Sequence, residues 1–367
     1  MAPIPLEPQR WAARVGAWLL PGGPEGDVVV SCRARLARNL AEFPFVTRLD
    51  AKRAEELATR AKDALDEAKL DGETIWVAMT EAPPMLRLLL RERHLVSRDL
   101  VPSEDGTKAA PGRAVAFGAS ECVSVMVNEE DHLRLQTMTA GYAIRTAWER
   151  ARELDRFLEA RLPYAVDGEF GYLTGCPTNV GTGLRASVML HLPALGLVRS
   201  ELEKVFAAAQ RTGLAVRGQY GEGSRAAGDL YQISNQITLG RGEEDLVRDL
   251  EALVPRILEF ERRVRELLLR EQRAALVDRI ARSIGLLRTA RSMPTEAALA
   301  HLSNVRLGLH LGLVREPSLE VLAPLSVQVQ RAHVQALAQE PLEAELCEAS
   351  VRDTLRASWL RRRLATA

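Results

Sequence analysis

Apolar and polar positions follow two rhythms along this chain, and the change of rhythm divides it. Short apolar runs dominate the first two thirds: 28–30 (VVV), 73–79 (ETIWVAM), 114–117 (AVAF), 123–127 (VSVMV), 214–218 and 229–239. Runs of this length, rich in β-branched residues and bounded by Gly, Pro, Asn or Asp, read as strands. The segment 132–136 (HLRLQ) alternates polar and apolar residues, as a half-buried strand does. Between these runs the spacing turns helical. Asp50 is a candidate N-cap for a helix ending near Leu70, and further helices are predicted over 84–93, 141–161 and 196–211. Strands and helices do not alternate regularly, which argues for an α+β fold with an antiparallel sheet flanked by helices. After about Glu243 only helical spacing remains, as in Ile257, Phe260, Val264, Leu267 and Leu268, broken by Gly312, Pro317, Pro324 and Pro341. The pattern predicts an N-terminal arm over 1–27, closing in the turn Pro21-Gly22-Gly23-Pro24. A mixed domain over 28–255 and an all-α domain over 256–367 follow.

Charge removes several function classes. Forty-nine cations balance 49 anions, so no bulk field favours nucleic acid or a membrane surface. No apolar run reaches the length of a membrane-crossing helix, and the first residues lack a basic-then-apolar leader pattern. Cys32, Cys122, Cys176 and Cys347 are scattered without metal-ligand spacing, so reduced thiols in a cytoplasmic protein are expected.

Four motifs carry candidate chemistry. In Ser31-Cys32-Arg33-Ala34-Arg35, just past the first apolar run, the two arginines are two residues apart and in extended chain share a face. Their fork geometry suits a polyphosphate, although a solvated basic edge would look the same. In Asn128-Glu129-Glu130-Asp131-His132-Leu133-Arg134, three carboxylates end an apolar run; they could hold a guanidinium or help place Mg²⁺, or form an ordinary acidic turn. The glycine-rich stretch 171–186 (GYLTGCPTNVGTGLRA) carries Cys176 toward Arg185, and an arginine near a thiol favours the thiolate. In 217–223 (RGQYGEG), two glycines bracket Glu222. Phosphoryl transfer needs charge neutralised around the moving group. A guanidinium nucleophile, whose pKa exceeds about 12, also needs a carboxylate to orient it and take its proton. Glu130 and Glu222 fit that task. Neither a Walker A loop nor the protein-kinase motif set occurs.

These motifs, in this order, resemble the signature set of the phosphagen (guanidino) kinase family, and most closely its bacterial protein arginine kinase branch, the McsB type. The resemblance implies a phosphagen-kinase core and an ATP site from Ser31, Cys32, Arg33, Ala34, Arg35, His94, Arg134, Arg185, Ala186, Ser187, Val188, Met189, Arg217, Gly218, Gln219, Tyr220, Gly221 and Glu222, with Mg²⁺ brought by the nucleotide. It implies Glu130, Glu222 and Cys176 as catalytic residues, with Glu129 and Asp131 orienting the substrate. Farther on, Arg352-Asp353-Thr354-Leu355-Arg356-Ala357 resembles the RDxxRA motif of that branch, which forms an allosteric phosphoarginine pocket from Arg352, Asp353, Arg356 and Ala357. On a helix, Arg352 and Arg356 share a face and would clamp one phosphate.

The expected function is therefore an ATP-dependent kinase acting on arginine side chains of proteins. Only 30 residues precede Ser31, where small-molecule members of the family carry a longer helical domain that encloses the substrate; an open site suits a protein-borne arginine. The alternatives are a small-molecule guanidino kinase and a catalytically degenerate phosphoarginine-binding protein. By resemblance, the partners include a heat-shock repressor and misfolded proteins marked for a Clp-type protease. An activating adaptor and a homodimer or higher oligomer are also expected, in a stress-response setting.

Overall fold

A computed structural model describes residues 8–101, 109–218, 227–338 and 346–365. Its centre is an eight-stranded sheet. In chain order the strands are β1 (Val29–Arg38), β2 (Thr74–Ala78), β3 (Ala114–Gly118), β4 (Val123–Val127), β5 (Leu133–Ala140), β8 (Leu184–His191), β9 (Leu214–Gly218) and β10 (Leu230–Asn235). A two-stranded ribbon, β6 (Val166–Asp167) with β7 (Gly171–Tyr172), stands apart from it. The spatial order is β2-β3-β4-β5-β1-β8-β10-β9, and every pairing is antiparallel. The predicted α+β class holds.

Among the described residues, twelve helices accompany the sheet. They are α1 (Pro8–Ala13), α2 (Ala51–Ala68), α3 (Pro84–Glu92), α4 (Ile144–Glu159), α5 (Pro193–Leu197), α6 (Arg199–Arg211), α7 (Glu243–Glu271), α8 (Arg273–Thr289), α9 (Thr295–His310), α10 (Leu319–Gln328), α11 (Arg331–Leu337) and α12 (Ala349–Ala365). One face of the sheet is sealed by α2, α4, α6 and α7, whose apolar stripes join Cys32, Ala34, Leu36, Ala186, Val188 and Leu190 in one core. The opposite face is covered at the β2–β4 end, where Trp11, Leu86, Leu90 and Leu95 meet Val115, Phe117 and Met126. Over β1, β8 and β10 that second face stays open as a cleft. None of the helices in the described residues is long and apolar enough to cross a membrane.

Three sequence expectations change. The strand expected at 28–30 runs on to Arg38, so the SCRAR motif lies inside β1 rather than after it. β5 is not half-buried: Gln136, Thr137 and Thr139 are buried with it, and Gln136 Nε2 donates to the His94 carbonyl at 2.7 Å. Within the N-terminal arm, Trp11 and Trp18 are both buried. The boundary expected near 255 falls in the middle of α7. Pro255 removes a hydrogen bond and crowds the preceding turn, costing about 3 kcal/mol. The buried stripe Leu246, Leu250, Val254, Ile257, Val264 and Leu268 runs past it, and each such side chain contributes roughly 1.5–3 kcal/mol, so the helix continues.

Asp50 caps α2 as expected, its Oδ1 accepting from Arg53 N at 2.9 Å. Asp50→Ala is expected to lower unfolding free energy by about 1 kcal/mol, read from urea denaturation midpoints.

Candidate active site

The floor of the open cleft is made by strand alternation. On β1, Cys32 and Ala34 turn into the core, while Ser31, Arg33 and Arg35 turn toward the cleft. The register then sets Arg185 of β8 beside Arg35, and Ser187 beside Arg33. On β10, Gln232 pairs with Met189 of β8 and Arg217 of β9, and Arg33 Nη2 donates to Gln232 Oε1 at 3.1 Å. Arg33, Arg35, Arg134 and Arg185 are close enough to perturb one another. Burial, then Arg134 and Arg185, pushes the Arg33 guanidinium down to about 10. Burial and the same neighbours push Arg35 down as well. The Nε of Arg35 is buried without a hydrogen-bond partner. Cations gathered at such cost match an anion that approaches from the cleft. The cleft has a volume of about 570 Å³.

This geometry divides the residues expected to bind nucleotide. Ser31, Arg33, Arg35, His94, Ser187, Met189 and Arg217 line the cleft. Cys32, Ala34, Ala186 and Val188 do not: they occupy the intervening positions and point into the core. Burial pushes the Cys32 thiol up to about 12. Only the backbone of these four can meet a ligand on the cleft side. Gln219, Tyr220, Gly221 and Glu222 lie outside the described residues.

At one edge of this floor, β4 and β5 are joined by the acidic turn. Asn128 takes a positive φ of 55° and its side chain donates to the Ala54 and Gly112 carbonyls, pinning the turn. The three carboxylates then separate by environment. Glu129 is buried; it accepts two bonds from Arg134 Nη1, at 2.6 and 2.7 Å, and one from the Ser97 hydroxyl. Burial pushes Glu129 up, but Arg134 and Ser97 outweigh it and hold the carboxyl below its ordinary value. Asp131 is buried as well, accepting from Asn39 Nδ2 at 2.6 Å and Gly175 N at 2.5 Å. Glu129 and Asp131, expected to orient substrate, are thus committed to holding Arg134 and the glycine-rich loop. Glu130 alone is exposed. Burial of part of its carboxyl and the nearby Asp131 raise its pKa, and Cys176 hydrogen-bonds it.

Cys176 reaches Glu130 because two glycines let its loop fold tightly. A Cβ on Gly175 would lie 2.8 Å from the Glu130 carbonyl oxygen, and one on Gly183, at φ +64°, would lie 2.6 Å from Arg38 Nη1. Among the described residues the Cys176 sulfur meets the Thr178 hydroxyl at 3.0 Å and the Glu130 carboxylate. Neither partner is an arginine, so the expected pairing with Arg185 does not form. The Arg185 backbone pairs instead with Arg35, in mid-sheet.

The opposite wall comes from elsewhere in the chain. His94 holds a positive φ of 61° and packs edge-on against Trp18, ring centroids 5.5 Å apart. Burial, then Arg33 and His333, pushes its imidazole down to about 4, so it is neutral. Ser326, Val327, Gln330 and Arg331 of the C-terminal helices also line the cleft. They are locked in place by Glu92, which accepts from Ala332 N and His333 N at the start of α11.

The RDTLRA motif lies on α12 behind that wall. Arg352 donates to the Cys347 carbonyl. Arg356 is only 1% exposed, and Ala357 beside it is equally buried. Arg356 Nε donates to the Val329 carbonyl at 2.6 Å, and its Nη1 donates to the Met293 carbonyl at 2.8 Å and to Asp353 at 2.6 Å. The paired clamp expected from spacing alone is therefore altered. Among the described residues only Nη2 of Arg356 is uncommitted.

Some residues central to this site carried no signal in the spacing. Asn39 ties the acidic turn to the loop: its side chain bonds Asp131, the Leu173 carbonyl and His132 N. Arg38 Nη1 holds the Thr182 carbonyl at 2.9 Å. Their place just beyond the SCRAR alternation, at the end of β1, was the available clue.

With the geometry in hand, the chain can be set beside known proteins. Residues 56–264 match the model of the ATP:guanido phosphotransferase C-terminal catalytic domain, and residues 273–367 match that of the protein-arginine kinase McsB C-terminal domain. The protein-arginine kinase of Halothermothrix orenii is 43% identical over 348 residues, covering 95% of this chain and 96% of that protein. The protein-arginine kinase of Bacillus subtilis (strain 168) is 39% identical over 352 residues, 95% of this chain and 93% of that protein. Among solved structures, the duplicated taurocyamine kinase of Schistosoma mansoni with bound transition state analog components aligns with a TM-score of 0.57. Its identity is 28%, over 68% of this chain and 37% of that one.

Proposed function

The chain belongs to the protein-arginine kinases of the ATP:guanido phosphotransferase family, and from that premise we propose that it transfers the γ-phosphate of ATP to arginine side chains of other proteins. The observation that carries the reading is the placement of one exposed carboxylate, Glu130, at the edge of an arginine floor, with Arg134 interacting electrostatically with both. Arg33, Arg35, Arg134, Arg185 and Arg217 hold the polyphosphate and neutralise charge as it redistributes. Ser31, Ser187 and neutral His94 complete the nucleotide wall, with backbone contributions at Cys32, Ala34, Ala186, Val188, Met189 and Gly218. Mg²⁺, carried on the phosphates, would supply further charge neutralisation.

The incoming guanidinium lies against Glu130, with Cys176 fixing the carboxylate. One N–H proton passes to Glu130 as the N–P bond forms and the bond to ADP breaks. Glu222 is read as a second carboxylate on the same substrate. Because Glu130 must be ionised, kcat/KM should fall on the acid side along a limb set by its raised pKa, above the ordinary glutamate range. The limb should vanish in Glu130→Gln; an unchanged limb in that variant would reassign it.

The direct test is incubation with γ-labelled ATP and Mg²⁺ beside a casein-like protein, free arginine and creatine. Acid-labile, base-stable label on protein arginine is expected. Label on free arginine or creatine alone would favour a small-molecule guanidino kinase. The RDTLRA site is read as a phosphoarginine pocket in which Arg352 makes the first contact and Nη2 of Arg356 the second. Arg352→Ala should abolish the response to added phosphoarginine while leaving basal transfer unchanged; a retained response would remove Arg352 from the pocket. A cytoplasmic location, oligomer formation, an adaptor, and a repressor or misfolded proteins routed to a Clp-type protease belong to the same reading.

A further inference from the structure

A second cavity, of about 290 Å³, lies at the seam between the sheet and the C-terminal helices. Leu19, Val29, Leu299, Leu302, Leu319 and Leu322 make its walls largely apolar. Its polar side chains are Arg306, His310 and Ser303 on α9, His191 at the end of β8, Ser326, and Asp27. Arg306 Nη2 donates to the Gly26 carbonyl at 2.9 Å, a neutral acceptor, and its Nε has no partner. The other charges nearby are already matched. Asp27 accepts from Arg262 at 2.6 Å, and Glu261 accepts from Arg265 at 2.7 Å.

The two histidines are incompletely bonded as well. His191 Nε2 faces Ser303 Oγ at 2.8 Å, and that hydroxyl donates to Asp229 at 2.6 Å. Nε2 must therefore carry the proton, which leaves Nδ1 a bare acceptor without a partner. His310 Nε2 has none either. Burial, then Arg265, pushes the Arg306 guanidinium down to about 10; burial, then Arg306, pushes His310 down to about 4. Buried polar atoms without partners are costly, and three from residues lining one apolar cavity need a common explanation.

We propose that this cavity binds a small organic carboxylate with a branched or aromatic apolar body, carrying a hydroxyl or amino group on the carbon next to the carboxylate. The carboxylate satisfies Arg306 and His310, the adjacent donor satisfies His191 Nδ1, and the body fills the leucine-lined space. One uncommitted guanidinium matches a monoanion; a phosphate dianion would bring a second charge into apolar walls with nothing to pair it. The volume falls at the lower end of small-molecule sites, which start at about 300 Å³. The cavity also shares Leu19, Val30, Leu230 and Ser326 with the nucleotide cleft, so occupancy of one is felt at the other.

The test is calorimetric titration of the full chain with 2-hydroxy-4-methylpentanoate, in saturating MgADP so that the nucleotide cleft is filled. Binding is expected, and the corresponding amide should bind about tenfold more weakly or worse, the loss of a charge-assisted hydrogen bond. 4-Methylpentanoate, which lacks the donor, should also bind more weakly. L-Leucine in place of the hydroxy acid tells which donor the site prefers. Arg306→Gln should weaken the acid by about tenfold, and Ala323→Phe should block the cavity. No binding of either the hydroxy or the amino acid at millimolar concentration, displacement by MgADP, or an amide that binds as well as the acid would overturn the proposal. The amide comparison uses the unaltered protein, so it decides even if both variants misfold.

Discussion

Glu130→Gln is expected to slow phosphoryl transfer to protein arginine by about 10²–10⁴-fold, the usual loss when a positioned general base is removed. The amide keeps the shape and the contact with Cys176 but cannot take a proton. The residues proposed to hold the nucleotide are others, so affinity for a fluorescent ADP analogue should change little. Glu129→Gln provides the contrast. Glu129 is buried against Arg134 and Ser97, and its neutralisation leaves Arg134 without its anion among the other cleft arginines. That variant should perturb nucleotide binding first. Single-turnover transfer from labelled ATP, paired with ADP titration, separates the two. Full activity in Glu130→Gln would remove the residue from catalysis and place the burden on Glu222.

The largest stability effect is expected from Asp155→Ala. Arg38 is completely buried, and its Nε and Nη2 donate to the Asp155 carboxylate at 2.7–3.2 Å. Its guanidinium also lies 3.6 Å from the Tyr172 ring centroid. Removing the carboxylate leaves the buried cation with only Glu243, 3.7 Å away, as an anionic partner, and breaking a buried pair typically costs 3–5 kcal/mol. Chemical denaturation should show that loss, and Arg38→Met with Asp155→Leu should recover much of it by replacing the pair with packed apolar groups. Arg38 also holds the Thr182 carbonyl, so Asp155→Ala should loosen the Cys176 loop and lower transfer at temperatures where the chain remains folded. A loss below about 1 kcal/mol, the range of exposed pairs, would mean that water reaches Arg38.

The strands and the α2 cap were legible because their signals are local: alternation, β-branched runs, Asp50 before a helical stripe. The arginine floor was legible for the same reason, since spacing by two puts Arg33 and Arg35 on one face whatever the partner strands are. The sorting of Glu129, Glu130 and Asp131 was not. Three adjacent carboxylates look alike until the fold brings Arg134, Ser97, Asn39 and the Gly175 amide to two of them. That α7 runs through 255 was not legible, because a change of rhythm does not show which residues share one helix, and the burial that carries it past Pro255 is tertiary. The fate of Arg356 was hidden for a similar reason. An i,i+4 arginine pair gives no sign that the Val329 and Met293 carbonyls will claim one member.

The cleft wall formed by Ser326, Val327, Gln330 and Arg331 has a pharmacological consequence. These residues lie in the stretch matched by the McsB C-terminal model and beyond the reach of the general catalytic-domain model, which ends at 264. A nucleotide-competitive inhibitor confined to the arginine floor would leave this wall untouched. One extended to touch Gln330 and Arg331 would engage a surface contributed by the C-terminal helices, and selectivity could be designed into that extension.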